Sequence, residues 1–138
     1  MCFVWRRLPL VCKTLVISPV LLQMLNDTMI QGSWKEGYRK LAFLIFDAPP
    51  HVESSEMVEE AVRAAAEKGV HIIPVVASNA DRDTELFGRA VAISTNADYV
   101  FLTDDSGVGE SHLEPIVGSY QVELLHDLIV REIQSYMP

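Results

Sequence analysis

Six consecutive apolar residues, Leu41-Ala42-Phe43-Leu44-Ile45-Phe46, run directly into Asp47-Ala48-Pro49-Pro50, and few folds can accept such a segment. It is short, rich in aromatic and branched side chains, and closed by two prolines, so it predicts a strand rather than a helix. Its residues do not alternate with polar ones. A strand that is apolar on both sides is buried on both faces, as in a parallel sheet covered by helices above and below.

The residues that follow repeat this logic. Ser54 or Ser55 is placed to cap a helix running to about Lys68, with Gly69 as its terminator. Met57, Val58, Ala61, Val62 and Ala65 fall at helical spacing and define its apolar stripe. Glu53, Glu56, Glu59 and Glu60 stand early and Lys68 late, matching the helix dipole. Val70–Ala77 predicts the next strand, with a bulge or an edge-like stretch at Pro74, which lacks a ladder donor. Asp81 or Asp83 then caps a helix through Leu86, Phe87, Ala90, Val91 and Ser94 that ends near Asn96. Tyr99–Leu102 predicts a third strand. A final helix spans about Tyr120 to Tyr136, with Val122, Leu125, Leu128, Ile129, Ile133 and Tyr136 on one stripe. Strand and helix alternate three times, which defines an α/β chain with a parallel sheet and right-handed crossovers.

Chain length and charge narrow the functions. One domain fits in 138 residues, and about 68–70% of the unfolded surface of such a chain can be buried. Nineteen acidic against eleven basic residues give a net charge of −8. That balance disfavours broad contact with nucleic acid or an anionic membrane, and it permits a cation or a basic protein partner. Cys2 and Cys12 form no zinc-type spacing with histidine or with each other. Arg6-Arg7 followed by Leu8–Leu25 has the outline of a signal peptide, but Asn26-Asp27-Thr28-Met29 is a poor cleavage site. Lys13 and Pro19 interrupt the apolar count that a membrane-spanning helix requires. Residues 1–30 are therefore expected to be a packed or disordered lead-in, and residues 31–138 the domain.

Ligands of an open parallel sheet bind at the carboxyl ends of its strands. Three loops qualify, Asp47–His51, Ala77–Asp83 and Thr103–Gly109, and all carry carboxylates. Asp47 with Asp104 or Asp105 offers the oxygens that Mg²⁺ prefers; equally, Asp47 can end its strand and cap the turn before Pro49. Gly107-Val108-Gly109 lacks the third glycine of a dinucleotide fingerprint, and there is no Gly-x-Ser-x-Gly elbow. His71, in a strand, and His126, in a helix, are expected to be structural imidazoles. His51 and His112 lie in loops with no nucleophile to pair with. Asp81-Arg82-Asp83-Thr84-Glu85 suits helix capping better than a metal loop, because Glu85 falls in the first turn.

Taken in order, "KLAFLIFDAPPH", "GVHIIPVVASNADRDTELFGRAVAISTNADYVFLTDDSG" and "GESHLEPIVGSYQVELLHDLIVREI" resemble a von Willebrand factor type A domain of a bacterial kind, over roughly Leu25 to Tyr136. The resemblance implies a three-layer, doubly wound, Rossmann-like sheet with a strand ending in Asp at its centre. It also implies a metal-ion-dependent adhesion site that engages a protein ligand through a divalent cation. Of the three stretches that build that site, only the Asp at the end of the fourth strand has a match, Asp47. Asp27-Thr28-Met29-Ile30-Gln31 and Asp104-Asp105-Ser106-Gly107-Val108 both fail the Asp-x-Ser-x-Ser pattern. The chain thus resembles the carboxyl-terminal half of the domain, an incomplete parallel sheet with core strands near 41–46, 70–77 and 99–102.

Two expectations follow. The site is incomplete, so no tight metal is expected, and Mg²⁺ only where another chain completes the set. The strand 41–46 has a neighbour on one side only. Its other flank is bare unless Leu15-Val16-Ile17 or Val20-Leu21-Leu22 covers it as a strand or short helix, and a bare flank predicts a homo-oligomer. The expected function is a non-enzymatic protein-interaction module. The alternatives are a metal-assisted phosphohydrolase using Asp47, Asp104 and Asp105, or an inactive truncated fragment.

Overall fold

The computed structural model describes residues 10–16, 25–77, 80–102 and 124–137, the first of these as backbone. Four strands, β1 (Leu10–Val16), β2 (Arg39–Phe46), β3 (Val70–Val76) and β4 (Val100–Phe101), form one sheet. Its order is β1-β2-β3-β4 and every pair is parallel. Among the described residues three α-helices accompany it: α1 (Ser55–Glu67), α2 (Arg82–Ser94) and α3 (Leu125–Ser135). A short π-helical segment, Asp27–Gln31, lies between β1 and β2.

The apolar run is the centre of this sheet, as its composition requires. Leu41, Ala42, Phe43, Leu44 and Phe46 are all buried, and each face of β2 meets its own core. Ala42, Leu44 and Phe46 join Ile72 and Val76 under α1, α2 and the segment that carries Leu25 and Met29. Leu41 and Phe43 join Ile73, Val75 and Val100 beneath Leu128 of α3. Successive parallel strands linked by right-handed crossovers place their connecting helices on one face. Accordingly the π-helical segment, α1 and α2 share a layer, and α3, which follows β4, closes the opposite one. The result is a three-layer α/β fold with helices on both faces of a parallel sheet.

The flank of β2 expected to be bare is covered. β1 pairs with β2 from Leu10 opposite Arg39 to Val16 opposite Ile45, so Leu15 and Val16 do act as an added strand, in a longer ladder than expected. Of the two expectations for residues 1–30, packed or disordered, the described part is packed: residues 10–16 pair with β2, and Leu25 and Met29 are buried. Ile17 and Val20–Leu22 lie outside the described residues.

Pro74 causes no bulge: it sits opposite Leu44 in an unbroken β2–β3 register. Its missing N–H points the other way, toward β4, on the same side as the backbone of Ile72. There the β4 ladder begins only at Val75 opposite Val100. Earlier on that side the Thr95 hydroxyl replaces a strand, accepting from Ile72 N (3.1 Å). It is also 3.3 Å from Ile72 O and 2.9 Å from Val91 O.

The serine cap expected for α1 is not made by a side chain. A 3₁₀ turn over Val52–Ser54 leads into the helix, and Ser55 Oγ donates to Val52 O (2.8 Å). Gly69 ends the following turn with φ of 65°, a left-handed conformation that other residues rarely adopt. Lys68 turns inward, donating from Nζ to Met29 O (2.7 Å) and to Ile30 O. Residues 120–123 of the expected last helix lie outside the described residues.

Candidate functional site

Asp47 emerges at the carboxyl end of β2, one residue beyond a ladder that Ala77 N extends by donating to Phe46 O (2.9 Å). Its side chain is exposed. Among the described residues no group of three or more His, Cys, Asp or Glu side chains is gathered closely enough to hold an ion. Asp104 and Asp105 lie outside the described residues. Mg²⁺ needs a nearly complete octahedron and loses hydration reluctantly, so Asp47 alone does not fit the group that the resemblance implies.

The second strand-end carboxylate, Asp81, has a structural task. Its Oδ1 accepts from Thr84 N (2.8 Å) and from Thr84 Oγ1 (2.6 Å), which makes it the N-cap of α2. Those hydrogen bonds hold its carboxyl below the usual carboxylate range. Of Asp81 and Asp83, then, the first caps. Glu85 is buried in the first turn, with an oxygen 3.4 Å from Arg89.

The histidines divide by environment. His71 Nδ1 faces the carbonyl oxygens of Thr95 (3.0 Å) and Asn96 (2.9 Å). Both are acceptors, so this nitrogen carries the proton and the imidazole is structural, as expected. Its ring packs on Tyr136 with centroids 5.0 Å apart. His126 differs from expectation: it lies in the first turn of α3 and is exposed. His51 is exposed just before the 3₁₀ turn, and His112 lies outside the described residues.

On α3, one turn before Tyr136, lies a buried acid that the sequence pattern does not single out. Glu132 of α3 is only 3% exposed. One of its oxygens accepts from Arg131 (2.8 Å), and Oε2 is buried without a hydrogen-bond partner. Burial, reinforced by the negative charge of Asp98, pushes its carboxyl above the usual range against the opposing pull of Arg131. Asp98 is tied to Tyr136, whose hydroxyl accepts from Asp98 N (3.0 Å) and lies 3.3 Å from Asp98 Oδ2. Tyr136 is pushed up to about 12, chiefly by burial.

A shallow concavity lies elsewhere among the described residues. A groove of about 250 Å³ runs between α1 and α2 on the outer side of their layer. Pro50, Val58, Val62, Phe87, Ala90 and Val91 make its apolar lining, and Ser55, Glu59 and Ser94 its polar one. Phe87 is fixed from below by Phe46, edge to face at 5.4 Å and 72°. On the shoulder, Leu86 and Ile93 are 68% and 80% exposed, and Ala90 is exposed between them. The expected stripe on α2 thus faces the sheet only in part. A signal was available, since Leu86, Phe87, Ala90, Val91 and Ile93 cover a wider arc than one sheet can bury.

Comparison with family models, with curated proteins and with solved structures returned no match. The resemblance to a von Willebrand factor type A domain therefore stands on the sequence segments alone, and the fold as a small parallel α/β sheet. No helix among the described residues is long and apolar enough to cross a membrane.

Proposed function

We propose that this chain is a non-enzymatic protein-interaction module, a relative of the carboxyl-terminal half of a von Willebrand factor type A domain in which the metal-ion-dependent site is incomplete. The observation that carries this reading is the groove between α1 and α2, an apolar concavity on the outer surface with exposed Leu86 and Ile93 beside it. Exposed, contiguous apolar surface of this kind marks interaction sites on soluble proteins. The solitary Asp47 supports the second part, because a protein ligand would be engaged here without a bridging cation unless another chain supplied further oxygens.

The test is capture of a stoichiometric protein partner on the immobilised chain, run in parallel with Mg²⁺ and with EDTA. Retention in both conditions is expected. Retention that vanishes in EDTA would restore a cation-bridged contact. Titration calorimetry with Mg²⁺ or Mn²⁺ is expected to show no binding tighter than about 10 μM. Hydrolysis of an aryl phosphate under Mg²⁺, lost in Asp47→Asn, would replace the module with a phosphohydrolase.

A further inference from the structure

We propose that the groove between α1 and α2 receives a basic amphipathic helix of another protein, an inference that rests on the module reading and names the partner's chemistry. The groove is lined from Ser55 to Val62 on α1 and from Phe87 to Ser94 on α2, about two turns of each helix. α1 and α2 pack on the same core on one face of the sheet and touch each other, so they lie side by side. Pro50 and Phe87 lie toward one end of the trough and Ser94 toward the other. An occupant presenting apolar residues at i, i+4 and i+7 would lay one stripe along this floor. Leu86, Ala90 and Ile93 repeat that spacing on the shoulder and would pack against its side.

Charge selects among occupants. α1 carries Glu56, Glu59, Glu60 and Glu67 against a single cation, Arg63. That cation is engaged by Glu59 at 2.6 Å. The adjacent Lys68 turns its ammonium inward to backbone carbonyls and adds no positive charge to the rim. Glu59 lines the groove, and Glu56, three residues earlier, shares its flank of the helix. The α2 wall is balanced, Arg82 and Arg89 against Asp83 and Glu85, so the excess charge beside the groove is the acidic one of α1, and a helix bearing lysine or arginine along the edge of its apolar stripe meets it there. A second copy of this chain, at −8, brings like charge to the same wall, and an anionic lipid surface does too.

Two fluorescent peptides of about 18 residues, roughly five helical turns, test the assignment by anisotropy on the full chain. One alternates leucine and lysine at amphipathic spacing, and the other replaces lysine by glutamate. The lysine peptide is expected to bind at least about tenfold more tightly, with an affinity that falls as salt rises. Ala90→Arg places bulk and positive charge at an exposed rim position, and should weaken that binding about tenfold while leaving the circular dichroism spectrum unchanged. The double reversal Glu56→Lys with Glu59→Lys should shift preference toward the glutamate peptide. Equal affinity for the two peptides, or binding indifferent to both variants, overturns the assignment. So does a sedimentation-velocity dimer that Ala90→Arg dissolves, which would give the groove to a second copy. A cellular partner retained equally by wild type and Ala90→Arg overturns the groove but leaves the module standing. Retention of no partner by wild type overturns the module and this inference with it.

Discussion

Thr95 shows how one hydroxyl can stand in for a strand. It follows α2, is buried, and satisfies the backbone of Ile72 at a point of β3 that β4 is too short to reach. Thr95→Val keeps the shape and removes the partner, which leaves a buried N–H unpaired at a cost of about 1–3 kcal/mol. Urea denaturation should show that loss, and a much smaller one for Thr95→Ser, which keeps the oxygen. Glu132 poses the opposite problem, an acid buried with one oxygen unpaired. Its folded-state affinity for protons is raised from an ordinary value of 4.5. The folded chain therefore binds more protons than the unfolded one above that pH, and stability falls as pH rises through the window between the ordinary and the raised value. Glu132→Gln removes this dependence. Its melting temperature should be close to wild type near pH 4 and higher than wild type near pH 8; an equal difference at both would mean that the carboxyl is not protonated in the fold. Neither residue could be picked out beforehand. Thr95 was one polar residue at a helix end, and the environment of Glu132 depends on Asp98, which comes from a distant part of the chain.

At the scale of the elements, α2 shows both what sequence periodicity reveals and where it stops. Asp81 with Thr84 carries a capping pattern that is local, so the start of the helix was readable in the sequence. Which side of the apolar arc meets the sheet was not, because that depends on how closely the helix approaches. Gly88 sets that approach: a Cβ there would lie 2.8 Å from Tyr99 Cε2 and 3.0 Å from Val76 Cγ2. Phe87 and Val91 are thereby drawn toward the core and the groove floor, while Leu86 and Ile93 are left outside. Met57 of α1 is another residue of an expected stripe that stays partly exposed, at 38%. Gly88→Ala would gain up to about 1 kcal/mol of helix propensity and lose about 1–3 kcal/mol to overpacking. The net expectation is a lower melting temperature, together with a change in the near-ultraviolet signal of Tyr99. A more stable variant would show that α2 has slack against the sheet. β4 illustrates the same limit, since its two paired residues are fewer than the apolar run Tyr99–Leu102 suggests.

For the whole molecule, the parallel three-layer arrangement was readable because Leu41–Phe46 is apolar at every position and therefore demands cover on both faces. The role of residues 10–16 was readable only in part: Leu15 and Val16 stood out as a possible cover for the flank of β2, but Lys13 and Thr14 blur the apolar pattern before them, so the start of the ladder at Leu10 was not. The two covers are unequal. One face is closed by α1, α2 and the π-helical segment, and the other, among the described residues, by α3 alone, through Leu128, Ile129, Ile133 and Tyr136. Both rest on the same strands, so loosening either should loosen the sheet as a unit. Leu128→Ala tests this. Truncating a side chain that is 9% exposed should cost about 2–3 kcal/mol, the lower part of the usual range for leucine. Amides of β2, paired on both flanks, and those of β3 that bond to β2 should exchange hydrogen only through global unfolding, and their protection should drop by that same amount. Amides of β4, held by two residue pairs, should exchange through local opening and change little. If instead α3 loses protection while β2 and β3 keep theirs, the lower layer docks independently, and the sheet is held by the groove-bearing layer without it.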